Sequence, residues 1–205
     1  MIYQLMRLDM RLIKPYMKST MLLLFVAGPL FAIGMKSTAM MVMYIALCAI
    51  MSLGYPFTII EKKNGNLLYG VLPVSKEQAV TGRYLFIIAI TVAAALIMVA
   101  LSLIVLPIIG QAISLGTLLN EALFLIAGIL LVAAFQVPLF YKLGFDKAKL
   151  WSYLPFGFIA LIPILFPSVE AFDFSILLKI SPICYVLAAG ILLFVSYIIS
   201  RKVAK

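Results

Sequence analysis

The chain has 205 residues, 66% hydrophobic and only 11% charged, with a formal net charge of +9. A water-soluble domain uses about a quarter of its residues as charge, so that class is excluded, and abundant apolar side chains exclude intrinsic disorder. What remains is an all-α integral membrane protein, read here as one transmembrane domain over residues 1–205.

Residues 1–18 carry the first pattern. Gln4, Arg7, Arg11, Lys14 and Lys18 recur at steps of three and four, which is one stripe of an α-helix. Leu5, Leu8 and Leu12, flanked by Ile2, Met6 and Ile13, form the opposite face. Such a helix is expected to lie in the membrane interface, its cations on anionic head groups of the lipid bilayer. Pro15 disfavours the α conformation at Lys14, so the chain is expected to turn there into its first span.

A bilayer core of about 30 Å needs roughly 17–25 apolar residues of helix. Stretches of that kind cover Ser19–Met35, Thr38–Ile60, Tyr84–Ile109, Leu118–Tyr141, Trp151–Pro167 and Ser181–Ser200, which predicts six transmembrane helices. The fifth is short and holds Pro155, Pro163 and Pro167, so it is expected to be tilted or broken. The segment Ser168–Pro182 reads as a short helix in the outer interface.

Loop charges set the orientation. Arg7, Arg11, Lys14, Lys18, Lys62, Lys63, Lys76, Arg83, Lys142, Lys147, Lys149, Arg201, Lys202 and Lys205 fall on one side, and only Lys36 and Lys179 on the other. Both termini are therefore expected in the cytoplasm, with the protein in the plasma membrane. Topology accounts for the basic excess, so nucleic acid is not an expected partner.

Within the spans no ionisable residue sits at mid-membrane. Glu121 lies one turn into the fourth span from the outside, where it is expected to reach the interface. Gln136, near the cytoplasmic end of that span, reads as a helix–helix hydrogen-bonding group or as part of a substrate cavity. Cys48 and Cys184 lie inside apolar runs and read as small packing residues rather than a disulfide. The chain has no histidine, which removes imidazole bases and imidazole metal ligands. No metal site and no catalytic residue is expected.

The loop Glu61–Arg83 says most. Asn64-Gly65 is a turn signal, and Asn66 can cap a two-turn helix from Leu67 to Leu72 that Pro73 ends. Leu67, Leu68, Val71 and Leu72 make that helix apolar. Ser75 and Gln78 then have the spacing of a capping box, which starts a new helix leading into the third span. The outcome is a short apolar rod beneath the bilayer, suited to a groove in a partner. A well-capped loop with no partner is the plainer alternative.

In this loop an acid ending the second span (Glu61) is followed by a Gly turn (Gly65), Leu68, the run Leu72-Pro73-Val74-Ser75-Lys76, and Arg83 entering the third span. The combination resembles the type-2 ABC exporter permease family. The chain departs from that pattern at Asn66, where the family often has Thr followed by an acid, here Leu67. The resemblance implies that Glu61, Gly65, Asn66, Leu67, Leu68, Val71, Leu72, Pro73 and Ser75 form a cytoplasmic coupling helix and its flanks, driven by a separate ATPase. The chain has no phosphate loop, and no Gly-Lys pair occurs in it. ATP and Mg are thus expected to be bound by two ATPase subunits, with a second copy or a related permease completing the transporter. Uncharged spans suit a hydrophobic or amphipathic cargo such as a peptide, antimicrobial compound or lipid. Three rivals stay open: the six-span substrate-binding subunit of a vitamin importer, a membrane enzyme, and a non-transporting immunity or scaffold protein.

Overall fold

The computed structural model describes residues 2–62, 75–112, 114–148 and 181–203. They form five long helices: α1 (Ile2–Met35), α2 (Thr38–Lys62), α3 (Lys76–Ile108), α4 (Leu115–Leu143) and α5 (Pro182–Val203). Each is long and apolar enough to cross a membrane. The expected span Trp151–Pro167, the outer segment up to residue 180 and the Asn66–Leu72 helix lie outside the described residues.

The turn expected at Pro15 is absent: α1 runs as one helix of 34 residues through both Pro15 and Pro29. Proline removes only one intrahelical donor, and here the neighbouring turn is clamped. Ile13 is buried in the core, Tyr16 stacks on Tyr55 of α2 at 5.0 Å, and the Thr20 hydroxyl donates to the Tyr16 carbonyl at 3.1 Å. In apolar surroundings a continuous helix also satisfies the most backbone groups. A separate interfacial helix over residues 1–18 is thus replaced by the first half of a longer rod.

Two tight links share one end of the bundle. The α1–α2 link turns through Lys36, whose φ of 51° is left-handed, while Ser37 N–H donates to the Ala32 carbonyl at 3.1 Å. The α3–α4 link turns through Gly110, φ 74°, and the Gln111 side chain donates to the Lys36 carbonyl at 3.3 Å. The opposite end gathers Arg7, Arg11, Lys76, Lys142, Arg201 and Lys202. Phe124 of α4 faces Tyr185 of α5 at 5.7 Å near the starts of both helices, so α4 and α5 are parallel neighbours. The described chain accordingly leaves the basic end at Ala148 and resumes at the other end at Ser181.

The core between α1, α2, α3 and α4 is filled by Ile13, Met41, Ile45, Phe86, Ile87, Met98, Leu125 and Ile129. The outward faces are also apolar: Leu22, Phe25 and Leu30 on α1, and Leu187, Ile191 and Phe194 on α5, are exposed. That surface suits lipid contact and would not stay dispersed in water.

Candidate functional site: the basic end of the bundle

Residues 63–74, which include Gly65, Asn66, Leu67, Leu68, Val71, Leu72 and Pro73, are not among the described residues. The two flanks of this segment are, and both are firmly tied.

On the downstream flank Ser75 caps α3. Its hydroxyl accepts from Gln78 N–H at 3.3 Å, and the Gln78 side-chain oxygen accepts from Ser75 N–H at 3.3 Å, the reciprocal pair that a capping box requires. The next two turns of α3 are stapled to the end of α5. Glu77 pairs with Arg201, and Thr81 shares a 2.9 Å hydrogen bond with the Tyr197 hydroxyl. The Tyr84 hydroxyl sits between Ser196 at 2.7 Å and Ser200 at 2.9 Å. Glu77 precedes the apolar stretch of α3; a hydrogen bond from Arg201, reinforced by its charge, holds that carboxyl below the usual carboxylate range.

Between Thr81 and Tyr84, Arg83 is enclosed. Its Nε lies 3.3 Å from Asp9 Oδ2 on α1, with only 6% and 3% of the two side chains exposed. The guanidinium lies over the Phe57 ring of α2, 4.1 Å from its centroid. Phe57 in turn packs against Phe140 at 5.0 Å and Tyr141 at 5.3 Å on α4. Arginine suits this position because one planar cation can present its edge to a carboxylate and its face to a ring.

Upstream, Glu61 reaches across from the end of α2 to the turn after α4. One carboxylate oxygen, Oε2, accepts from Phe145 N–H at 2.7 Å and from Asp146 N–H at 3.1 Å. Gly144 makes this approach feasible: its φ is 77°, and a Cβ there would lie 3.0 Å from Glu61 Oε1. Gly54 on α2 plays the matching part for the Phe145 ring, since a Cβ at Gly54 would fall 2.9 Å from Phe145 Cε2.

The remaining expected residues are dispersed. Arg7, Arg11, Lys14 and Lys18 are exposed along one face of α1, while Leu5, Asp9 and Ile13 on another face are buried. Gln136 is buried, 3% exposed, on the α4 face that also carries Ala133 and Val137. Glu121 lies near the end of the bundle that carries the α1–α2 link. It turns inward to accept the Thr38 hydroxyl through Oε1, and its Oε2 is buried with no hydrogen-bond partner. Cys48 and Cys184 are both free. Among the described residues no group of three or more His, Cys, Asp or Glu could hold a metal ion.

Sequence reasoning missed the Asp9–Arg83 pair, the Glu61–Gly144 approach, and the hydroxyl cluster of Tyr84, Ser196 and Ser200. The first had a signal: Leu5, Asp9 and Ile13 recur at steps of four, which places an acid on the buried face. The arrangement as a whole is a set of ties around the two flanks of the segment between α2 and α3.

A family model described as ABC-2 family transporter protein matches residues 4–205. No curated protein and no solved structure shows a significant match. The family match gives no support to the vitamin-importer alternative.

Proposed function

We propose that this chain, which belongs to the ABC-2 transporter family, is the permease subunit of an ATP-driven exporter. The family makes it a multi-pass membrane component of an ABC transporter that works with an ATPase partner. Beyond that, our reading is of a six-span subunit in the plasma membrane with both termini cytoplasmic. Two ATPase subunits would bind the ATP and Mg, and a second permease, identical or related, would complete the pathway. The cargo would be hydrophobic or amphipathic, because the spans offer it apolar contacts and few polar anchors. Segment 66–72 would be the coupling helix.

The observation that carries this reading is the anchoring of both flanks of residues 63–74 into the bundle, through Glu61 on one side and Ser75–Arg83 on the other. Supporting a sixth crossing is the parallel run of α4 and α5, which leaves Ala148 and Ser181 at opposite ends of the bundle.

The double substitution Leu68→Asp, Val71→Asp places two charges on the apolar rod. Membrane insertion should persist, while ATPase activity copurifying with the tagged permease should fall about tenfold or more, the equivalent of ~1.4 kcal/mol in docking. Undiminished copurifying activity would remove the coupling assignment.

A further inference from the structure

We propose that Glu61 is a positioning residue for the power stroke, locking the turn after α4 to the end of α2 so that the two helices move as one piece. The proposal rests on the functional reading above for the source of the movement, but the lock is a property of the chain itself.

Three observations converge on it. Glu61 is one residue short of the end of α2, so any displacement of residues 63–74 meets it almost at once. Its carboxylate accepts two backbone N–H groups, those of Phe145 and Asp146, from a segment 84 and 85 positions away. Charge-assisted hydrogen bonds to backbone donors are directional and roughly twice as strong as neutral ones. The partner turn is shaped to receive it, since Gly144 combines a positive φ with a Cβ position that would crowd Glu61 Oε1.

At this end α2 and α4 otherwise meet through apolar contacts; their hydrogen bond from Thr38 to Glu121 lies at the far end of the bundle. Phe57 against Phe140, and Phe145 against Phe140 at 5.2 Å, are apolar contacts that tolerate sliding. The two hydrogen bonds do not, because a shift of about 1 Å takes them out of range. Glu61 thereby fixes axial register between the two helices at the end where force enters. In this view the acid at the close of the second span holds α4 and makes no contact with the motor.

The test uses the full chain, with Cys48 and Cys184 replaced by Ala, alone and in complex with its copurifying ATPase. In the chain alone, Glu61→Ala should speed hydrogen exchange at the Phe145 and Asp146 amides by about tenfold to a hundredfold. Glu61→Gln, which keeps one acceptor oxygen, should fall between. Gly144→Ala should reproduce the effect while leaving the carboxylate present. In the complex, spin labels at Met51→Cys and Lys147→Cys should report one narrow distance, the same with and without ATP and vanadate. Glu61→Ala should broaden that distance. Unchanged exchange in Glu61→Ala, or a distance in the wild-type background that shifts with nucleotide, overturns the proposal. Absence of any copurifying ATPase would instead overturn the functional reading, while the exchange result in the chain alone still decides whether the lock exists.

Discussion

Arg83 is a cation enclosed at the basic end of a membrane bundle, and among the described residues Asp9 pairs with it, 3.3 Å away. A buried ion pair gains little over apolar packing of the same shape, but removing one member costs more than the pair contributes, because a buried charge loses its closest described counter-charge. Asp9→Asn should therefore destabilise the protein by about 3 kcal/mol or somewhat more. In a chain of this size that is a fall of roughly 6–12 °C in apparent melting temperature, measured in detergent. Arg83→Lys keeps the charge but loses the planar face against Phe57, and should lie between Asp9→Asn and the wild type. Equal melting temperatures for all three would mean that the pair is held open to solvent. In the sequence Asp9 stands between Arg7 and Arg11, inside a run of cations. Only its step of four from Leu5 and Ile13 marks it as inward-facing, and its partner lies 74 positions away, where periodicity has no reach.

At the scale of the helix, local chemistry was the most readable layer. The Ser75–Gln78 spacing is a contract between residues three apart, and the structure honours both halves of it. The five described helices long enough to cross a membrane were readable for a similar reason, because hydropathy is summed along the chain rather than across it. The unbroken α1 was not, since whether Pro15 stops a helix depends on clamps such as Tyr16 on Tyr55 that the local sequence cannot contain. The start of α3 offers a test of how the two layers share the work. Ser75→Ala removes the cap, at a cost of about 1 kcal/mol, and should raise hydrogen exchange at the Gln78 amide about fivefold. The effect should stop before Thr81, because the hydroxyl contact to Tyr197 and the pair Glu77–Arg201 hold the following turn from outside the helix. Fraying that continues to Tyr84 would show that the staple to α5 contributes nothing to the start of α3.

At the scale of the whole molecule, the helices sort by which ends lie together. α1 and α3 have 34 and 33 residues, and α-helices of that length span about 50 Å against a hydrocarbon core of about 30 Å. Both must overhang, and their charged residues place the overhang at the basic end, beside Lys147 and Arg201. Lys36 and Gln111 sit at the opposite end, joined by a hydrogen bond of 3.3 Å. With Cys184 replaced by Ser, single cysteines at Lys36 and Gln111 should react with an impermeant maleimide added to intact cells. Cysteines at Lys147 and Arg201 should react only after permeabilisation. Ser181 decides the crossing count. It precedes α5 at the end opposite Ala148, because α5 runs beside α4 in the same direction. A cysteine at Ser181 that labels from outside while one at Lys147 stays protected requires the intervening residues to traverse the bilayer, giving six crossings. If Ser181 and Lys147 label from the same side, α4 and α5 cannot both cross in the parallel arrangement, and the permease would have to be rebuilt around five.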